Sequence, residues 1–186
     1  MRVNLLLGIT AICTVAGWAG EVPRKAPPLQ VMTPVGETVS LENYRGKVLL
    51  LKFFLTDCAH CQRSAGHIMP IYKEWRSRGL EVLSVAINPD ALQRIPEFVQ
   101  RFGVSYPIAL GNRNTLTTFA DLSAVARFFV PYIFLIDRRG VIRYEHAGGD
   151  KAFYDNEAQN LRTEIDLLLR EPASVSKASA KSPRKG

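Results

Sequence analysis

Gly46-Lys47-Val48-Leu49-Leu50-Leu51-Lys52-Phe53-Phe54-Leu55-Thr56-Asp57-Cys58-Ala59-His60-Cys61 is the stretch that decides the fold. From Val48 to Leu55 it is almost continuously apolar, as a strand covered on both faces must be. The run ends at Thr56-Asp57, and two cysteines follow in C-x-x-C spacing. Beyond them Ile68, Ile71, Tyr72 and Trp75 recur at three- and four-residue steps as far as Gly79, which predicts a helix. Cys58 therefore sits where a strand hands over to a helix. Unpaired first-turn N–H groups and the positive end of the helix dipole stabilise a thiolate there. Cys61, one turn later, is more shielded and can close a short ring by attacking a mixed disulfide. An exposed low-pKa attacker with a resolving partner is what thiol–disulfide exchange requires. Half of a zinc site is the competing reading. It needs two more ligands, and His60, His67 and His146 are scattered, with no second C-x-x-C. An inert disulfide of this spacing would close too short a loop to stabilise much.

Working outward, Leu80 to Ile87 reads as a second buried strand. Asn88-Pro89-Asp90 caps a helix over Ala91 to Phe102, ended by Gly103. Residues 104–130 are less regular, with a short helix expected around Leu122 to Phe128. Tyr132 to Asp137 is a third strand, Arg138-Arg139-Gly140 a turn, and Val141 to Glu145 a fourth strand antiparallel to the third. Glu157, Leu161, Ile165 and Leu168 place a last helix at 155–170. Upstream, short apolar pieces between Gln30 and Ser40 around Pro34-Val35-Gly36 suggest a small hairpin. The order of strand, helix, strand, helix, loop, hairpin and helix predicts an α/β domain with a central mixed sheet and an N-terminal hairpin extension.

The chain has 186 residues and a net charge of +7. Residues 1–28 carry +2, residues 172–186 carry +4, and the stretch between them only +1. The basicity belongs to the ends, so a nucleic-acid-binding surface on the folded part is not expected. Arg2, the apolar run from Val3 to Val15 and the small residues of Gly17-Trp18-Ala19 read as an export signal over residues 1–19. Cleavage after Ala19 or retention as a membrane anchor are the alternatives. Cys13 belongs to that segment. Residues 20–28 read as a linker, 29–171 as one domain, and 172–186 as a disordered basic tail, able at most to touch anionic membrane weakly. Export also implies a compartment in which disulfides persist.

Taken together, Gly46 to Phe54 leading into Cys58-Ala59-His60-Cys61, Ser40-Leu41 before the Tyr44-Arg45-Gly46-Lys47 turn, and Val130-Pro131-Tyr132-Ile133-Phe134-Leu135-Ile136-Asp137 followed by Gly140 resemble the TlpA-like branch of the thioredoxin superfamily. The resemblance implies a thioredoxin fold over roughly 29–170 and an exported redox protein. It also implies a cis bond between Val130 and Pro131, facing the cysteines and presenting the Val130 main chain to a substrate peptide. Pro at the start of a strand is alternatively a plain edge device.

The departures from the family pattern concern charge. Asp57 stands where a Trp is usual, and a carboxylate so near Cys58 should raise its pKa. His60 should act the other way, as a cation or N–H donor beside Cys58, unless it only points into solvent. Lys52 stands in the buried strand where Asp or Asn is usual. It is either a proton-transfer or thiolate-stabilising group, or it snorkels to the surface.

The leading expectation is an enzyme, a periplasmic or secreted thiol–disulfide oxidoreductase acting as a monomer. Cys58 would be the nucleophile, Cys61 the resolving cysteine, His60 an activating neighbour, and Val130 with Pro131 the substrate-binding loop. Its partners would be protein thiols or disulfides and a membrane redox donor or acceptor. No cofactor or metal is expected. Two alternatives remain open. One is a peroxiredoxin-like thiol peroxidase, suggested by Thr56 two residues before Cys58. The other is a copper(I) carrier holding the ion with Cys58, Cys61 and a histidine.

Overall fold

The computed structural model describes residues 21–172. The leader read over residues 1–19, Cys13 within it, and the tail beyond residue 172 lie outside the described residues. A single sheet of eight strands carries the domain: β1 (Arg24–Lys25), β2 (Gln30–Met32), β3 (Thr38–Ser40), β4 (Val48–Phe54), β5 (Leu80–Ala86), β6 (Ile108–Leu110), β7 (Tyr132–Ile136) and β8 (Val141–His146). Their order across the sheet is β1-β8-β7-β4-β5-β6-β2-β3. Strand β4 lies at the centre, parallel to β5 and antiparallel to β7.

All seven residues of β4 are buried, as its unbroken apolar run requires. Strand alternation sends Val48, Leu50 and Phe54 to one face and Leu49, Leu51 and Phe53 to the other. On the first face pack α1 (Ala59–Trp75), α2 (Ala91–Phe102) and α5 (Glu157–Arg170), through Ile68, Ile71, Phe98, Leu161 and Ile165. On the second pack α3 (Arg113–Phe119) and the N-terminal segment, through Leu116, Phe119, Leu29 and Val31. A short α4 (Lys151–Tyr154) precedes α5. Every fully buried Leu, Val or Phe contributes about 1.5–3 kcal/mol, so two filled faces make β4 the anchor of the fold.

The hairpin expected between Gln30 and Ser40 is present, with Gln30 opposite Ser40 and Met32 opposite Thr38. Helix α2 has the bounds read from its start and stop signals. Three expectations need correction. Residues 122–128 form no helix; the helix of that region is α3, nine residues earlier, begun by the Asn112 side chain, which accepts from Thr115 N. A three-residue strand, β6, precedes it and was not anticipated. The segment read as a linker is partly in the sheet. Arg24 and Lys25 pair with Ile142 and Val141, and Arg24 forms an ion pair with Glu145. Among the described residues no helix is long and apolar enough to cross a membrane.

Candidate active site

Strand β4 ends at Phe54, and the three residues to Asp57 form the loop that sets the cysteines. Asn88, just beyond the parallel neighbour β5, holds this loop. Its Oδ1 accepts from Thr56 N at 3.1 Å, and its Nδ2 donates to Thr56 Oγ1 at 2.9 Å. Gln62 in α1 donates to the Thr56 carbonyl at 3.0 Å. Asn88 was read as part of a helix cap. Its side chain instead fastens the loop before Cys58, while Asp90 occupies the N-cap position of α2.

Cys58 is the N-cap of α1, and its Sγ accepts from Cys61 N at 3.3 Å. Both cysteines are free thiols. The Cys58 thiol is pulled down to about 6, chiefly by the hydrogen bond from the Cys61 side chain. Partial burial opposes this. The main-chain N–H groups of Cys61 and His60 and the charge of the His60 ring reinforce it. Cys61 is fully buried, and burial first, then its donation to Cys58, push its thiol far above the usual range. The two sulfurs are thus opposites, one half-exposed and ionised near neutral pH, the other dry and protonated.

His60 is exposed, and Arg63 donates to its Nδ1 at 2.8 Å. Arg63 thereby sets a fixed positive charge beside the ring at the start of α1. The part His60 plays at the sulfur is mainly that of its main-chain N–H. Asp57 is exposed and is not among the leading influences on Cys58.

Opposite the cysteines, the Val130–Pro131 bond is cis, as the family resemblance implied. The Val130 carbonyl lies 3.7 Å from Cys58 Sγ. Two residues that the sequence did not single out hold this loop. Gly148 N donates to the Phe129 carbonyl at 3.1 Å, and a Cβ on Gly148 would come within 2.7 Å of Val130 N. Tyr154 donates from its hydroxyl to the Pro131 carbonyl at 2.6 Å. Both lie far along the chain from Cys58, and Gly148-Gly149 reads in sequence only as a turn. Phe129, beside Val130, is 67% exposed.

Lys52 does not snorkel. Its side chain is fully buried on the α1 face of the sheet. Among the described residues no group of three or more His, Cys, Asp or Glu is placed to hold a metal ion.

A model of the AhpC/TSA family matches residues 22–145, about two thirds of the chain. The chain belongs to that family. Among curated relatives of this AhpC/TSA protein, Protein DipZ of Mycobacterium bovis is 32% identical over 116 residues, covering 60% of this chain but 16% of DipZ. Thiol-disulfide oxidoreductase ResA of Halalkalibacterium halodurans is 31% identical over 114 residues, 61% of each chain. The matched part therefore spans less than two thirds of these relatives. A solved structure, a putative protein disulfide isomerase from Bacteroides thetaiotaomicron, superposes with a TM-score of 0.68 at 24% identity, over 83% of this chain and 94% of that one. These matches bear out the thioredoxin fold and the TlpA-like resemblance.

Proposed function

We propose that this chain is an exported thiol–disulfide oxidoreductase that exchanges disulfides with protein substrates through Cys58 and Cys61. The observation that carries the reading is the asymmetry of the two sulfurs. In the reducing direction the Cys58 thiolate attacks a substrate disulfide and releases one substrate sulfur as a thiolate. Cys61 then gives up its proton, attacks Cys58 Sγ, and the second substrate sulfur leaves with the bonding electrons. The oxidising direction runs the same path in reverse. The Val130 carbonyl, 3.7 Å from Cys58 Sγ, is the main-chain acceptor that would align a substrate peptide beside the attacked bond. Phe129 would add an apolar contact at the rim. The leader over residues 1–19 supports export, with a membrane redox protein as the donor or acceptor that resets the pair.

The test is turnover of a disulfide-bonded protein by wild type, Cys58→Ser and Cys61→Ser. Cys58→Ser should be inert, and Cys61→Ser should stop at a trapped mixed disulfide. Equal activity of all three would refute the reading. The reduction potential of the Cys58–Cys61 couple then assigns the direction.

A peroxidase reading draws on the family's AhpC/TSA description and on Thr56 two residues before Cys58. Against it, Thr56 is engaged by Asn88 in holding the loop. Peroxide consumption coupled to an added thiol, far faster than by free cysteine, would revive it.

A further inference from the structure

Lys52 stands between Leu50 and Phe54 on the face of β4 that α1 and α5 cover, with 0% of its surface exposed. Its Nζ has no hydrogen-bond partner and sits 5.1 Å from the centre of the Phe54 ring. A buried ammonium in that position must either have an opposite charge near it or give up its proton. Burial pulls Lys52 down to about 8, while Cys61, Glu157 and Cys58, in that order, hold it up. In return, the Lys52 charge pulls the Cys61 thiol down against the burial that pushes it up.

Glu157 opens α5 and is itself buried, 4% exposed. It accepts from Ser64 Oγ at 2.5 Å and contacts His67 Nδ1 at 2.8 Å. The His67 side chain is 36% exposed, so the Glu157 carboxylate reaches solvent through it. Ser84 is the register partner of Lys52 on β5, and the Tyr106 hydroxyl stands near Ser84. Tyr154, on α4, feels the charges of both Glu157 and Cys61. Several buried polar groups thus share this side of the sheet, and among them Ser64, Glu157 and His67 are joined by hydrogen bonds that end at the flank of α1.

We propose that Lys52 is a positioning residue for the resolving step, its charge being what lets Cys61 ionise in the interior, and that Glu157, linked to solvent by His67, sets when this happens. The proposal rests on the exchange chemistry above and supplies the fate of its buried proton. In the mixed disulfide, Lys52 and Cys61 together hold two titratable protons. Loss of one leaves either an amine beside a thiol or an ammonium beside a thiolate. These are two forms of one protonation state of the pair, and only the second attacks. The Cys61 thiolate then bonds to Cys58 Sγ, the bond from Cys58 to substrate breaks, and the substrate sulfur departs as a thiolate. The proton lost by the pair passes to solvent, and the Glu157 charge opposes its departure from Lys52.

The test is a stopped-flow reaction of the reduced full chain with Ellman's disulfide from about pH 5 to about pH 10, a range that brackets the thiol and amine titrations. The first thionitrobenzoate released reports attack by Cys58, and the second reports attack by Cys61. In wild type the second phase should rise with pH to a half-maximum that reports loss of one proton from the Lys52–Cys61 pair. Lys52→Met removes the positive charge. Relative to the first phase, its second phase should slow about tenfold or more at neutral pH, with the half-maximum moved to higher pH. Glu157→Gln removes a negative charge that favours retention of the proton, so its half-maximum should move to lower pH. Opposite shifts are the signature. A merely structural role would change amplitudes and rates without moving the profiles apart. Half-maxima that stay within about 0.3 unit of wild type, or that shift in the same direction, would overturn the proposal. Should Lys52→Met not fold, the direction of the Glu157→Gln shift decides alone. If the wild type shows no turnover of any protein disulfide while the opposite shifts appear, the substrate reading fails and the role of Lys52 stands.

Discussion

Replacing Gly148 by alanine sets a methyl group against the main chain that carries Val130. Its Cβ would stand 2.7 Å from the carbonyl carbon of Phe129 and from Val130 N, and 2.8 Å from the carbonyl carbon of Val130. Ordinary van der Waals contact begins at 3.4 Å, so one side must retreat by about 0.7 Å. All three atoms are backbone, so no rotamer change relieves the clash. The hydrogen bond from Gly148 N to the Phe129 carbonyl keeps the two strands of chain together and transmits the push to Val130. Overpacking of this kind costs about 1–3 kcal/mol of stability. A displacement approaching 1 Å at a positioning group costs up to about a hundredfold in rate. Gly148→Ala should therefore lower kcat/KM on a disulfide-bonded protein by roughly tenfold or more. Alkylation of Cys58 by iodoacetamide should change by less than about threefold, because the N–H groups that favour its thiolate belong to α1. The assays are steady-state turnover, alkylation rate and thermal unfolding of one preparation. A folded variant whose protein turnover falls no further than its alkylation rate would show that the Val130 carbonyl does not align substrate.

Cys61→Ala removes the thiol that donates to Cys58 and leaves the Cys61 N–H in place. A hydrogen bond to a charged acceptor is worth about 1.5–3 kcal/mol, so the Cys58 alkylation midpoint should rise from about 6 by roughly one to two pH units. The sign follows from the donor stabilising only the thiolate; an unmoved midpoint would assign the low value to the helix N-terminus alone. Asn88→Ala strips Thr56 N of its acceptor inside the protein. Chemical denaturation should read a loss of about 1–3 kcal/mol, and a loss under about 0.5 kcal/mol would mean the loop before Cys58 is held by other contacts.

The strand–cysteine–helix junction was legible because two different periodicities meet there within a few residues. The cis proline was legible only through family resemblance; nothing local to Val130-Pro131 distinguishes it from an edge proline. Residues 104–130 misled for a physical reason. Strand β6 is too short to show alternation, and the start of α3 is marked by the Asn112 cap rather than by an apolar stripe. The burial of Lys52 was undecidable from sequence, since a long cationic side chain in a central strand can reach water or not depending on what covers it. What covers it comes from α1 and α5, whose hydrogen-bonded Ser64 and Glu157 are 93 residues apart in the chain. Contacts of that separation leave no periodic trace. The same holds for Gly148 and Tyr154 against Val130 and Pro131.

The placement of β1 carries one more consequence. It lies at one edge of the sheet, beside β8, whereas β2, the next strand in the chain, lies beside β6 toward the other edge, six positions away. Only residues 26–29 separate them. Six interstrand steps laid flat would span about 29 Å at 4.8 Å each. Five residue steps, from Lys25 to Gln30, reach about 18 Å at most. The sheet must therefore be coiled enough for its margins to approach each other, and this short segment runs as a chord across the hollow, with Ala26 and Leu29 packed into it. One stretch of chain thus fixes the curvature of the whole sheet and covers main-chain groups of β8 that an open margin would offer to another molecule.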